Sequence, residues 1–99
     1  MNIKIQSIRF DADKKLLAFI ESKVAKLELF SDEILGAEVY LRLEKDSEKE
    51  NKVVEIKLAI PGNDIFARKN SKSFEEATDL TVEALKRQLG KTRKKKNVS

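Results

Sequence analysis

The chain of 99 residues contains neither cysteine nor histidine. The missing cysteine excludes disulfides, thiolate catalysis and cysteine-based zinc sites. The missing histidine removes the commonest general base near neutral pH and the commonest transition-metal ligand. The three glycines are isolated, so no glycine-rich phosphate loop is present. The carboxylates are scattered among lysines, as on a solvated surface. We therefore expect no enzyme activity, no catalytic residue, no metal and no cofactor.

Long apolar runs are missing as well. No segment approaches the ~18 apolar residues that read as a membrane span, and the first ten residues alternate polar and apolar side chains without a signal-peptide stretch. These features predict a cytoplasmic protein with no membrane partner. We also expect it to take no small-molecule substrate and to be a monomer when free.

Charge is abundant and unevenly distributed. Charged residues make up 38% of the chain, against ~25% in typical soluble domains. The first 85 residues hold 14 basic and 17 acidic side chains, whereas the last 14 residues hold seven basic and no acidic ones. A basic end on an otherwise balanced domain is typical of polyanion binding. A solvated tail that only aids solubility would have the same composition.

Hydrophobic periodicity predicts the element order β-α-β-β-β-α. Alternating side chains predict four strands, the first of which ends or bulges near Ser7. The strands cover about residues 2–9, 38–44, 54–60 and 65–69. The polar segment 45–52 is predicted to be a loop, and 61–64 a turn.

Helical spacing predicts two amphipathic helices. The first covers about residues 12–29, with Asp11 or Asp13 as its N-cap. The second follows Ser73, which with Glu76 makes a capping-box pattern, and Gly90 could end it. The simplest closure packs both helices on one face of a four-stranded sheet. This is a two-layer α+β domain over residues 1–90, similar to the double-stranded RNA-binding fold, with 91–99 as a basic, flexible tail.

The two helices differ in how they carry their cations. Lys15, Lys23 and Lys26 share one flank of the first helix, which suits a row of phosphates, although lysines flank many core stripes. The second helix has acidic residues in its first half and basic ones from Lys86 onward. The helix dipole favours one or two cations in the last turn; we assign the excess to RNA phosphate.

The open sheet face is predicted to be a less suitable RNA surface. Cations and aromatics there are mixed with Glu38, Glu44 and Glu55, which would repel phosphate. This leaves the helix side as the basic surface, which would recognise RNA by shape and phosphates.

Two short runs resemble the ribosome hibernation promoting factor and ribosome-associated inhibitor family, also called the sigma-54 modulation protein family. They are Ser22–Glu28 (SKVAKLE), which precedes the aromatic Phe30, and Leu85–Lys91 (LKRQLGK). Asp79 matches an acidic position upstream of the second run. With the element order and the size, the resemblance covers about residues 2–95 and corresponds to the short type, without the additional C-terminal domain of long members.

The resemblance implies a protein that binds the small ribosomal subunit, in the channel for messenger RNA and transfer RNA anticodon stems, and keeps idle ribosomes inactive under stress. DNA is not an expected partner. Together with the basic end, it implies RNA contacts through side chains of both helices. These are Lys23, Lys26, Lys86, Arg87, Gln88, Lys91, Arg93 and Lys94.

Two departures from the family pattern affect the expected contacts. Ala84 stands where the family usually has lysine, and Ser73-Phe74-Glu75 stands where it often has Asp-Met-Tyr. The residues themselves leave two alternatives open. One is a general double-stranded RNA-binding module, and the other is a protein-interaction or transcription-modulating module.

Overall fold

Four strands and two helices follow one another in the order that the periodicity predicts. The computed structural model describes the backbone of residues 1–44 and 49–98, and the side chains of 1–44 and 49–90. The strands are β1 (Asn2–Ser7), β2 (Gly36–Leu43), β3 (Lys52–Ala59) and β4 (Ile65–Ser71). The helices are α1 (Lys14–Ala25), which continues as a 3₁₀ turn (Lys26–Leu29), and α2 (Phe74–Val98). The predicted loop falls partly on 45–48, outside the described residues.

The sheet has the strand order β1-β2-β3-β4, with β1 parallel to β2 and the other two pairs antiparallel. A row of paired residues crosses it from Ile5 through Val39 and Ile56 to Ala67. At Gly36, a Cβ atom would come within 3.0 Å of the Asn2 carbonyl oxygen. The glycine therefore permits the close approach of the first two strands.

Both helices pack on one face of the sheet, as the amphipathic patterns predict. The core lies between these two layers and consists of fully or almost fully buried aliphatic side chains. Its largest members are Ile20, Val24, Leu27, Val39, Leu41, Val54, Ile56, Leu58 and Leu85. Each such side chain contributes about 1.5–3 kcal/mol of transfer free energy. The predicted two-layer α+β fold is confirmed.

Side-chain caps begin both helices. The Leu16 amide donates to Asp13 Oδ1 at 2.8 Å, so Asp13, one of the two predicted candidates, is the cap of α1. The Glu76 amide donates to Ser73 Oγ at 3.1 Å. The Phe10 and Phe74 rings stack with centroids 5.0 Å apart. This stacking holds the start of α2 against the chain that enters α1.

The second helix is longer than the sequence predicts. Its helical backbone does not end at Gly90 but continues to Val98. Gly90 does not take the left-handed conformation that ends many helices, since Gly62 in the β3–β4 turn is the described glycine with positive φ. Lysine and arginine, which follow Gly90, are good helix formers. The predicted end at Gly90 was therefore wrong, while the flexibility of 91–99 stays a prediction.

Among the described residues, no helix combines the length and the apolar character needed to cross a membrane.

Candidate nucleic-acid interface

Lys23 lies at the junction between α1 and α2. Its Nζ atom is 3.2 Å from Asp79 Oδ1 on α2 and 5.5 Å from the centroid of the Phe19 ring on α1. A lysine ammonium group above an aromatic ring is attracted by the partial negative charge of the ring face. Lys23 therefore links the two helices and keeps its ammonium group at the surface, with 36% of the side chain exposed.

Lys86 occupies the same junction about two helical turns beyond Asp79. Its Nζ atom lies 5.1 Å from the centroid of the Phe30 ring, just after the 3₁₀ turn, and 3.1 Å from Glu83 Oε1. Residues seven apart return to the same face of a helix. The junction therefore carries two lysines, each restrained by one aromatic ring and one carboxylate.

Lys26 and Arg87 extend this surface. Both side chains are exposed, and neither forms an ion pair with a described residue. Their charges are therefore available to an external anion. The junction with these two residues is called the basic junction below: Lys23, Lys26, Lys86 and Arg87.

The basic end of α2 continues from the basic junction along the same helix. Lys91, Arg93 and Lys94 belong to its helical backbone, while their side chains lie outside those that the structure describes. With a rise of about 1.5 Å per residue, Lys94 stands about 12 Å along the helix axis from Lys86. The predicted contacts on α2 therefore share one helical backbone.

Gln88 is placed apart from the basic junction. Its amide group donates to the backbone carbonyl of Phe66 at 2.9 Å, and it lies ~200° around the helix from Lys86. The side chain therefore connects α2 to β4, an edge strand. The sequence alone groups Gln88 with the neighbouring cations, because spacing along the chain does not tell which flank of the helix meets the sheet. A contact of Gln88 with RNA stays a prediction.

The ion pairs of the basic junction present only a small obstacle to an incoming anion. Asp79 and Glu83 are more than half exposed, and exposed ion pairs contribute about 0–1 kcal/mol each. A phosphate can therefore replace either carboxylate at little cost. The aromatic rings would keep both ammonium groups in place during this exchange.

On the open sheet face, most cations are paired with carboxylates, whereas Lys4 is exposed and has no ion pair with a described residue. Arg42 is bonded to Glu55, Arg68 lies 2.7 Å from Glu44, and Lys57 lies 3.6 Å from Asp64 on the β3–β4 turn. Glu55 is almost fully buried, which its alternating position in the strand did not indicate. These pairs leave the open face with little free positive charge.

Tyr40 belongs to the same network. Its hydroxyl donates to Glu38 Oε2 at 2.7 Å, and this bond to a carboxylate is the main cause that raises the pKa of Tyr40 above its ordinary value. The ring is thus held by a neighbour on its own strand. In the part of the chain that the structure describes, no group of three or more carboxylates is placed to hold a metal ion.

Comparison with known proteins identifies the family of this chain. Residues 3–97 match the profile of the family described as sigma 54 modulation protein / S30EA ribosomal protein. The chain belongs to this family. The match spans both helices, all four strands and the basic end of α2, so it includes every residue of the candidate interface.

Two curated proteins have similar sequences. The ribosome hibernation promoting factor of Pseudomonas putida is 28% identical over 95 residues, covering 96% of this chain and 89% of that protein. The ribosome hibernation promotion factor of Bacillus subtilis is 30% identical over 99 residues. That alignment covers 98% of this chain but 51% of the Bacillus protein, so the relative is about twice as long.

Two solved structures share the fold. A ribosomal subunit interface protein from Coxiella burnetii superposes with a TM-score of 0.84 at 25% identity, covering 94% of this chain and 98% of the other. The N-terminal domain of Protein Y from Thermus thermophilus has a TM-score of 0.80 at 25% identity, with coverage of 93% and 99%. The topology described above is therefore that of ribosomal subunit interface proteins.

Proposed function

We propose that this chain is a ribosome-associated translation inhibitor that binds the small ribosomal subunit in the channel for messenger RNA and transfer RNA. In this role it keeps idle ribosomes inactive under stress. Family membership and the names of its relatives support association with the ribosome. The proposal that the contact is made through ribosomal RNA phosphates rests on the charges of the helix side.

One observation carries the proposal. Lys23 on α1 and Lys86 on α2 lie at one junction, each restrained by an aromatic ring. Beyond Lys86, α2 continues with a run of cations without any acidic residue. Restrained cations lose less conformational freedom when they bind. A row of phosphates on structured RNA is the partner that such a surface fits.

The test is co-sedimentation with purified small ribosomal subunits over a series of salt concentrations. We expect salt-sensitive binding that an excess of double-stranded RNA does not displace. Displacement by duplex RNA would instead identify a general double-stranded RNA binder. No binding at low salt would contradict the proposal and favour a protein-interaction module.

A pair of matched variants locates the contact. The triple variant Lys23→Gln, Lys86→Gln and Arg87→Gln removes three charges from the basic junction. Each phosphate contact contributes roughly 0.7–0.9 to the slope of log affinity against log salt, so the slope should fall by about two to three. The control removes three exposed cations elsewhere, at Lys4, Lys69 and Lys72. Equal losses in both variants would show that only net charge matters.

A further inference from the structure

The strands β1 and β2 end at different levels, and this leaves a step at one end of the sheet. Pairing of β1 stops at Ser7, opposite Leu41, while β2 continues to Leu43. The Ile8 amide still donates to the Leu41 carbonyl at 2.9 Å, and the chain then turns away. An open cavity of about 550 Å³ occupies the step, called the end cavity below. It is lined by Ile8, Arg9, Arg42 and Leu43.

Arg9 holds a costly backbone conformation at this cavity. Its φ angle is 68°, and among the described residues it is the one non-glycine residue with positive φ. This left-handed region costs an L-residue roughly 1–2 kcal/mol, and glycine, asparagine or aspartate are its usual occupants. An arginine kept in such a position suggests that its side chain has a use that offsets the strain.

The charges around the end cavity favour an anion. Among the described residues, its lining contains two guanidinium groups and no carboxylate. Arg42 is already bonded to Glu55, whereas Arg9 is exposed and has no ion pair with a described residue. Among the described residues of the lining, Arg9 is therefore the cation that has no ion pair.

The other half of the lining favours an aromatic group beside the anion. Ile8 and Leu43 supply an apolar wall, and the Leu43 side chain is 47% exposed, which is costly for an aliphatic residue. The volume lies within the roughly 300–1,000 Å³ of small-molecule sites. Guanidinium groups both pair with phosphate and stack on planar bases. A nucleotide combines these two requirements.

We propose that the end cavity binds one unpaired nucleotide of an RNA strand, with its phosphate on Arg9 and its base against Ile8 and Leu43. The cavity lies where β2 ends, whereas the basic junction lies along the far part of α1 and α2. The inference goes beyond the proposed function and does not depend on it. It adds a contact for a single-stranded segment to a protein whose helix side fits structured RNA.

The test is a nuclear magnetic resonance titration of the full chain, with adenosine monophosphate, adenosine and inorganic phosphate as separate probes. We expect the monophosphate to shift the backbone amide signals of Ile8, Arg9 and Leu43, and to bind there more tightly than either other probe. Shifts at the basic end of α2 would accompany any anion. The result is therefore taken from the three cavity amides.

Arg9→Asn is the decisive variant. Asparagine accepts positive φ, so the thermal midpoint should not fall, while the affinity of the cavity for adenosine monophosphate should fall about tenfold with the loss of a charge-assisted bond. The affinity of Arg9→Lys should lie between those of the original chain and of Arg9→Asn, because lysine keeps the charge without the planar group. Lys4→Gln, an exposed cation on β1, serves as the control and should bind normally.

Three results would overturn the inference: unchanged cavity amides, Arg9→Asn binding as tightly as the original chain, or inorganic phosphate binding there as tightly as the nucleotide. Because these measurements use no ribosome, they separate this inference from the proposed function. A chain that does not bind ribosomal subunits can still bind adenosine monophosphate in the end cavity. A chain that binds ribosomal subunits can equally lack nucleotide binding in the cavity.

Discussion

The open sheet face and the helix side carry similar cations, but their carboxylates are arranged differently. On the open face, Glu55 is almost buried and forms ion pairs with both Arg42 and Arg68. On the helix side, Asp79 and Glu83 are exposed and pair with only two of the cations. The comparison teaches that the number of cations does not by itself define an RNA surface. What matters is how readily each cation leaves its carboxylate.

The burial of the paired groups explains this difference in energetic terms. A buried carboxylate that loses its partner bears the cost of desolvation, so the cations around Glu55 are held in place. An exposed carboxylate is solvated by water once its cation leaves, so the exchange costs little. The sheet face therefore contributes to stability, and the helix side is available for binding.

The largest expected effect concerns the basic end of α2. Replacing Lys91, Arg93, Lys94, Lys95 and Lys96 by glutamine should lower affinity for small ribosomal subunits about a hundredfold or more near physiological salt, because five counterion-releasing contacts are lost. Co-sedimentation over a salt series measures this. The control is the Lys4, Lys69 and Lys72 variant. If the variant that lacks the five cations of α2 kept its affinity, the basic end would serve solubility only.

Next in size is the removal of the central carboxylate of the sheet face. Glu55→Gln should lower the free energy of unfolding by about 1–3 kcal/mol, because the nearly buried side chain at position 55 loses its charge-assisted bond to Arg42. Urea denaturation measures it. Ribosome affinity should stay the same within error. A loss of affinity without a loss of stability would contradict the division between the two faces.

Gln88 tests whether a residue within the basic run serves the fold. Gln88→Ala should lower the free energy of unfolding by about 1 kcal/mol, since the Phe66 carbonyl loses its donor. The salt slope of ribosome binding should not change. Arg87→Ala, one position earlier, is the matched control: it should change the slope and leave stability almost unaltered. The opposite pattern would restore Gln88 to the RNA contacts.

The smallest effect concerns the carboxylates of the helix side. Asp79→Asn removes the partner of Lys23 and should raise ribosome affinity about two- to fivefold, which corresponds to the strength of an exposed ion pair. The free energy of unfolding should change by less than about 1 kcal/mol. Weaker binding would mean that Asp79 is needed to position Lys23 instead of competing with the RNA.

The sequence predicts the fold well wherever apolar residues recur with a clear period along the chain. Val39 and Leu41 alternate in one strand, Ile20 and Val24 recur on one helix face, and all four are buried in the structure. The N-cap of α2 at Ser73 was equally predictable from the sequence, since capping depends on neighbouring residues. The end of α2 was not, because a single glycine ends a helix only where its backbone turns left-handed.

Much less of the candidate site can be predicted from the sequence. The sequence places Lys23 and Lys86 on two amphipathic helices, but it does not show that Phe19 and Phe30 restrain them or that Asp79 binds across the junction. It also does not separate Gln88 from the neighbouring cations. These relations depend on the rotation of one helix against the other, which the packing of the whole core sets.

The sequence by itself determined the element order, the buried faces, the lack of cysteine and histidine chemistry, and the basic end, because these follow from composition and from periods of about two and 3.6 residues. Only the tertiary structure decided which cations are paired, that Glu55 is buried, and that β1 stops short of β2 beside Arg9. Ion pairs and cavities join residues far apart in the chain, so their geometry exists only after the layers have packed.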